Sequence, residues 1–156
     1  MKGKFTHLLI VDDDQDHLAL VERWLTLEGF DVTAADSGEA ALAVLEERRP
    51  DLVVTDLVMG EIDGIRLLRE IHRYDPVMPV IIMSGQAGIP EAVKATHLGA
   101  CAFLTKPIER EALMSEVRQT LTAQTGEDAY GSDGFAPKIV HRSQIIHQFL
   151  AFWSLC

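Results

Sequence analysis

Five short apolar runs punctuate the first part of the chain: Leu8-Leu-Ile-Val11, Phe30 to Ala35, Leu52-Val-Val54, Val80-Ile-Ile-Met83 and Ala102-Phe-Leu104. Each is too short for a buried helix. Several are apolar without alternation, as in a strand covered on both faces. Helical spacing follows each run. Leu18, Val21 and Leu25 recur at i, i+3 and i+7, with Leu20, Trp24 and Leu27 in a neighbouring row, which predicts a helix with a broad apolar face ending at Gly29. Ser37 is placed to cap a second helix over Ala40 to Glu47. Asp63-Gly64 opens a third, marked by Ile65, Leu68 and Ile71. Pro90 suits the first turn of a fourth, which is Ala-rich and poor in large apolar residues, so loose docking is expected. Leu113, Val117 and Leu121 mark the last. Alternation of this kind predicts a single doubly wound α/β domain: five parallel strands with helices on both faces. Right-handed crossovers then bring every strand's carboxyl end to one edge.

With 156 residues, 47% of them apolar, the chain has enough material for one core without disulfides. A formal net charge of -10 argues against direct nucleic-acid binding. No apolar run approaches the roughly 20 residues of a membrane span. The positively charged start is followed by an apolar run, Leu8 to Val11, too short for a signal peptide. Only Cys101 and Cys156 carry thiols. These features predict a soluble, cytoplasmic protein. Cys101 is expected to be a small buried residue. The six histidines show no zinc-type spacing and receive no metal role.

The strand ends carry the chemistry. They deliver Asp12, Asp13 and Asp14, then Asp56, then Ser84, then Lys106. Asp56 closes the most apolar strand, where a carboxylate avoids desolvation by opening into the crevice at which parallel sheets bind ligands. Each residue has a plainer reading: an acid as the cap of a helix or turn, Ser84-Gly85 as an ordinary turn, and Lys106 as a surface lysine. Their joint occurrence at successive strand ends outweighs these. Two like charges about 4 Å apart repel by roughly 4 kcal/mol at an effective dielectric near 20. Three acids in one crevice therefore call for a cation, and Mg²⁺ suits carboxylates that leave room for water and a phosphoryl group. Acid, metal, lysine and hydroxyl are the components of phosphoryl transfer.

Leu8-Leu-Ile-Val-Asp-Asp-Asp14, Asp56-Leu-Val-Met59, Asp63-Gly64, Ile82-Met-Ser-Gly85 and Phe103-Leu-Thr-Lys-Pro107 together resemble the receiver domain of two-component response regulators, over about Thr6 to Leu121. The resemblance implies a flavodoxin-like fold in which Asp56 accepts a phosphoryl group from a histidine kinase or phosphotransfer protein. It makes Asp13 a direct Mg²⁺ ligand and Asp12 a ligand through water, with Asp56 and the backbone carbonyl of Val58 completing the set. Ser84 and Lys106 contact the phosphoryl oxygens, and Phe103 stands at the switch aromatic. The expected output is a remodelled face made by the fourth helix, fifth strand and fifth helix, with the Lys106–Pro107 bond cis. Gly60 stands where the family usually has Pro, which loosens that loop, and Asp14 stands where Glu is common and is expected to cap the helix. Such a domain is a signalling acceptor; beyond transferring a phosphoryl group to itself and losing it, no enzymatic activity is expected.

A rival comes from another class. Asp12-x-Asp14 with Ser84 and Lys106 resembles haloacid-dehalogenase-type phosphatases, in which Asp12 would be the nucleophile and Asp14 the general acid. That family needs a later acidic pair, which Glu109 and Glu111 do not supply at a strand end, and it leaves Asp56 idle. A nucleotide-binding domain lacks the required glycine-rich loop.

The composition changes after Leu121. Residues 1–121 read as the receiver, 122–138 as a flexible linker containing Gly126, Gly131 and Gly134, and 139–156 as a short apolar tail. Ile139-Val-His-Arg-Ser143, with Ile145 and Ile146, resembles the opening of the AAA+ ATPase module of enhancer-binding transcription activators, and that resemblance implies a receiver severed from its module. Alternatively, Ile145, Phe149 and Phe152 lie at helical spacing, and the tail is an amphipathic helix that docks on the receiver or on a second copy to give a homodimer. A homodimer through the fourth helix, fifth strand and fifth helix is the other arrangement.

Overall fold

The computed structural model describes residues 6–85 and 89–130. Its elements alternate throughout: β1 (His7–Val11), α1 (Gln15–Leu27), β2 (Asp31–Ala35), α2 (Gly38–Glu47), β3 (Leu52–Asp56), α3 (Gly64–Tyr74), β4 (Val80–Ser84), α4 (Ile89–His97), β5 (Ala102–Thr105) and α5 (Arg110–Tyr130). The strands form one parallel sheet in the order β2-β1-β3-β4-β5. The chain reverses direction across the sheet between β1 and β3, and the crevice at that reversal is where an open α/β sheet receives ligands.

The period of two along each central strand divides the core. Leu8, Ile10, Leu52, Val54, Ile81 and Met83 face α1 and α5, where they meet Leu18, Val21, Leu25, Leu113, Met114 and Val117. Leu9, Val11, Val53, Val80 and Ile82 face the other way, against Ala41 of α2, Leu67, Leu68 and Ile71 of α3 and Ala95 of α4. With both faces covered, β1, β3 and β4 are buried at every position, which is why they read as uninterrupted apolar runs.

The helix starts follow their caps. Asp14 accepts from the Asp16 and His17 amides, Ser37 from Ala40 and Asp63 from Arg66, each satisfying donors left open by the first helical turn. Asp14 is therefore a cap, as expected. The Lys106–Pro107 peptide is cis, also as expected.

Two expectations need correction. The apolar arc of α1 is narrower than its sequence implies: Leu18, Val21 and Leu25 are buried, but Leu20 and Leu27 are 43% and 64% exposed. The i, i+3, i+7 row is buried; of the adjoining row Trp24 still packs against the core, while Leu20 and Leu27 are turned to solvent. Cys101 is half-buried rather than enclosed. α5 also runs past Leu121 and continues to Tyr130, through the first part of the 122–138 segment expected as a linker. Extending an existing helix adds one hydrogen bond per residue fixed, so Ala123, Gln124 and Glu127 can prolong it without an apolar face. The remaining linker and the 139–156 tail lie outside the described residues. Among the described residues no helix is long and apolar enough to cross a membrane.

Candidate acidic phosphoacceptor site

Asp56 is the last residue of β3 and is 5% exposed; Asp12, one residue beyond β1, is fully buried. Asp13 follows it and is exposed. One carboxylate oxygen from each of Asp12, Asp13 and Asp56 lies within 4.8 Å of the others. Residues separated by more than forty positions thus meet at adjacent strand ends. The arrangement is anchored by the backbone: the Asp12 amide donates to the Ala35 carbonyl at 3.1 Å and the Leu57 amide to the Met83 carbonyl at 2.7 Å.

Lys106 comes from the far side, just past β5. Its Nζ lies 3.0 Å from Asp56 Oδ1 and 3.3 Å from Asp12 Oδ2, and its amide donates to the Ser84 carbonyl at 2.7 Å. Ser84, the last residue of β4, is buried, and Phe103 of β5 is half-buried against the α2–α3–α4 side of the core. Val58 lies two residues beyond β3 and is 64% exposed, between buried Leu57 and Met59.

Both oxygens of the Asp12 carboxylate carry protein donors. Its Oδ1 accepts from the Asp14 amide at 3.0 Å, and its Oδ2 faces both Lys106 and His17 Nδ1, the latter at 2.6 Å. His17 is the residue that reading the sequence missed. Spacing alone shows no metal-type pair, and its approach to Asp12 depends on how α1 leaves its cap.

Burial pushes the Asp56 carboxyl above its ordinary range; Lys106 pulls it back, while Asp12 and Asp13 push with burial. For Lys106, burial disfavours the ammonium, but the Asp56 hydrogen bond and the charges of Asp12 and Asp56 outweigh it, and the group is raised. The attraction between the two is real in both; at Asp56 desolvation and like charge win. A linkage follows. Between the ordinary and the raised value of Asp56 the folded state holds more protons than the unfolded one, so stability falls as pH rises through that window. In chelator-containing buffer the urea midpoint of the wild type should therefore drop across this acidic interval relative to Asp56→Asn. A pH-independent gap between the two would contradict the assignment.

The donor set fits a hard divalent cation: three carboxylates at close spacing, no thiol, and Lys106 supplying only part of the countercharge. It does not fit the phosphatase alternative. Asp14 is spent on the helix cap, so it is not placed as a general acid, and both oxygens of Asp12 are already engaged.

Residues 8–118 match the family model described as the response regulator receiver domain, and the chain belongs to that family. Among curated relatives, it is 46% identical to the transcriptional regulatory protein GlrR of Escherichia coli over 121 residues, covering 78% of this chain and 27% of the relative. It is 34% identical to the transcriptional regulatory protein ZraR of Salmonella typhimurium over 150 residues, covering 90% of this chain and 34% of the relative. The chain thus spans about a quarter to a third of the length of these proteins. Among solved structures, a CheY-like receiver domain protein from Methanospirillum hungatei superposes with a TM-score of 0.76 at 29% identity, covering 80% of this chain and 99% of that one. The receiver domain of NtrX from Brucella abortus gives 0.71 at 35% identity, over 74% and 98%.

Proposed function

We propose that Asp56 is the phosphoacceptor of a two-component phosphorelay. The observation that carries this is the placement of Asp56 at the end of a fully buried strand, 3.0 Å from Lys106 and within reach of two further carboxylates. A carboxylate oxygen of Asp56 attacks the phosphorus of a phosphohistidine on a histidine kinase or phosphotransfer protein. The P–N bond breaks, the imidazole leaves, and an aspartyl phosphate forms. Asp13, Asp56 and the Val58 carbonyl would hold one Mg²⁺, with Asp12 acting through water. The ion would neutralise the charge gathering on the phosphoryl oxygens. Lys106 binds a phosphoryl oxygen as a compact point charge, and Ser84 donates to another. Water later removes the phosphoryl group; no other chemistry is assigned to the domain.

The new charge sits beside Ser84 and adds strong acceptors. Ser84 moves toward it and Phe103 turns inward, which remodels the surface made by α4, β5 and α5. α4 buries Ala92 and Ala95, small anchors that suit a movable element. The relatives are transcriptional regulatory proteins, and we place the output there, in the cytoplasm, through this surface, by pairing of two copies or by contact with an effector module. The likeness to ZraR supports an effector, since its 90% share of the chain exceeds the receiver region at residues 8–118.

The test is incubation with acetyl phosphate and Mg²⁺, followed by proteolysis and mass mapping. The acyl phosphate should map to Asp56. Modification at another residue, or none, overturns the assignment.

A further inference from the structure

We infer that His17 is a positioning residue of the acidic site: its Nδ1–H holds the Asp12 carboxylate to α1, so that Asp12 reaches an ion through water and Lys106 remains available to Asp56. The inference rests on the phosphoacceptor reading above and deepens it.

The geometry begins with the helix cap. Asp14 is the N-cap of α1, which makes Gln15, Asp16 and His17 its first three residues. In an ordinary capping box the third residue reaches back to the cap's own amide. Here that amide is taken by Asp12 Oδ1 at 3.0 Å, and the third residue reaches past the cap to the other oxygen of the same carboxylate, His17 Nδ1 to Asp12 Oδ2 at 2.6 Å. The Asp12 carboxylate thus takes the Asp14 amide on one oxygen and the His17 ring on the other, while Asp14's own carboxylate accepts from the Asp16 and His17 amides. Because Oδ2 also faces the Lys106 ammonium, it acts as an acceptor and His17 Nδ1 is the donor.

Asp12 is fully buried and His17 is 17% exposed at its side chain, so the bond is shielded from water. The lysine lies closer to Asp56 than to Asp12, 3.0 against 3.3 Å. With a short donor already on Oδ2, Asp12 has less to offer Lys106. Without it, the buried carboxylate would draw Lys106 as its remaining side-chain donor, away from the acceptor. Bonds of this kind, one layer out from an ion, orient its ligands and commonly change affinity by about 10–100-fold.

The experiment measures Mg²⁺ binding to the full chain by isothermal titration calorimetry, for wild type, His17→Leu and His17→Asn. Acyl-phosphate formation is followed in parallel at saturating Mg²⁺. His17→Leu should bind Mg²⁺ about tenfold more weakly and form acyl phosphate more slowly, while His17→Asn, whose amide can still donate to Asp12, should recover most of both. Circular dichroism establishes that each variant is folded, and His17→Ala replaces His17→Leu if leucine disrupts the helix. Equal Mg²⁺ affinity in wild type and His17→Leu overturns the inference. So does an Asn variant as impaired as the Leu variant, since the donor would then not be the cause. Either result leaves wild-type labelling at Asp56 intact, so failure of the His17 role is distinguishable from failure of the acceptor role. A wild type that binds no Mg²⁺ and takes no label overturns both.

Discussion

Asp56→Asn should abolish acyl-phosphate formation, with the rate falling by roughly 10³-fold or more, as when a covalent catalyst loses its positioned nucleophile. The substitution keeps the shape of the side chain and removes its charge. Lys106 retains Asp12 as a partner, so the fold is not left with an uncompensated ammonium. Two other carboxylates stand close by and could in principle take over. Asp12 cannot do so readily, because Oδ1 is bound by the Asp14 amide and Oδ2 by His17 and Lys106. Asp13 is exposed and has no lysine against it among the described ion pairs. The variant should therefore show no compensating label. The check is a time course with acetyl phosphate and Mg²⁺ on both proteins, and labelling of the variant at the wild-type rate would remove Asp56 from the centre of the mechanism.

The strand ends were legible because burial leaves a plain record. A β-branched run covered on both faces tolerates no charge within it, so an acid closing such a run marks its exit, as Asp56 does for β3 and Asp12 just after β1. The caps were legible for a similar reason: Asp14, Ser37 and Asp63 each precede a helical pattern and accept from its first turn. Other features depend on rotation rather than on order. Leu20 and Leu27 have the composition of a core and face solvent, since nothing in the spacing states how wide a stripe the sheet will cover. Leu67 and Met114 are fully enclosed beside the rows that spacing picked out. The His17–Asp12 bond belongs to the same group, being set by the azimuth of α1 after its cap. The end of α5 was misjudged on a different ground. Missing apolar residues argue against docking, but they do not argue against continuing a helix that already exists.

Gly64→Ala should destabilise the fold by about 1–3 kcal/mol, the usual range for forcing atoms into a filled space, and should slow phosphorylation of Asp56 as well. The reason lies in a backbone crossing that the pair Asp63-Gly64 does not reveal beyond its helix-opening role. Gly64 is buried at the start of α3, and its amide donates to the Leu57 carbonyl at 2.7 Å. A Cβ there would stand 2.8 Å from Leu57 Cα and closer still to the Asp56 carbonyl oxygen. Both neighbours are main chain, so neither can swing aside as a flexible side chain would. What must move is the end of β3, whose last residue is Asp56, the proposed acceptor, and whose next amide is tied to Met83. A shift of a few tenths of an ångström there disturbs the alignment of Asp56 with Lys106, where reaction rate is sensitive to position. Gly60 supplies the control, since a Cβ at that position meets nothing within 4 Å. Gly60→Ala should be close to neutral, or slightly stabilising through a less flexible unfolded chain. Urea midpoints of the two variants, with acetyl phosphate rates beside them, separate the cases. Equal midpoints for Gly64→Ala and Gly60→Ala would mean that the approach of α3 to β3 does not hold Asp56 in place.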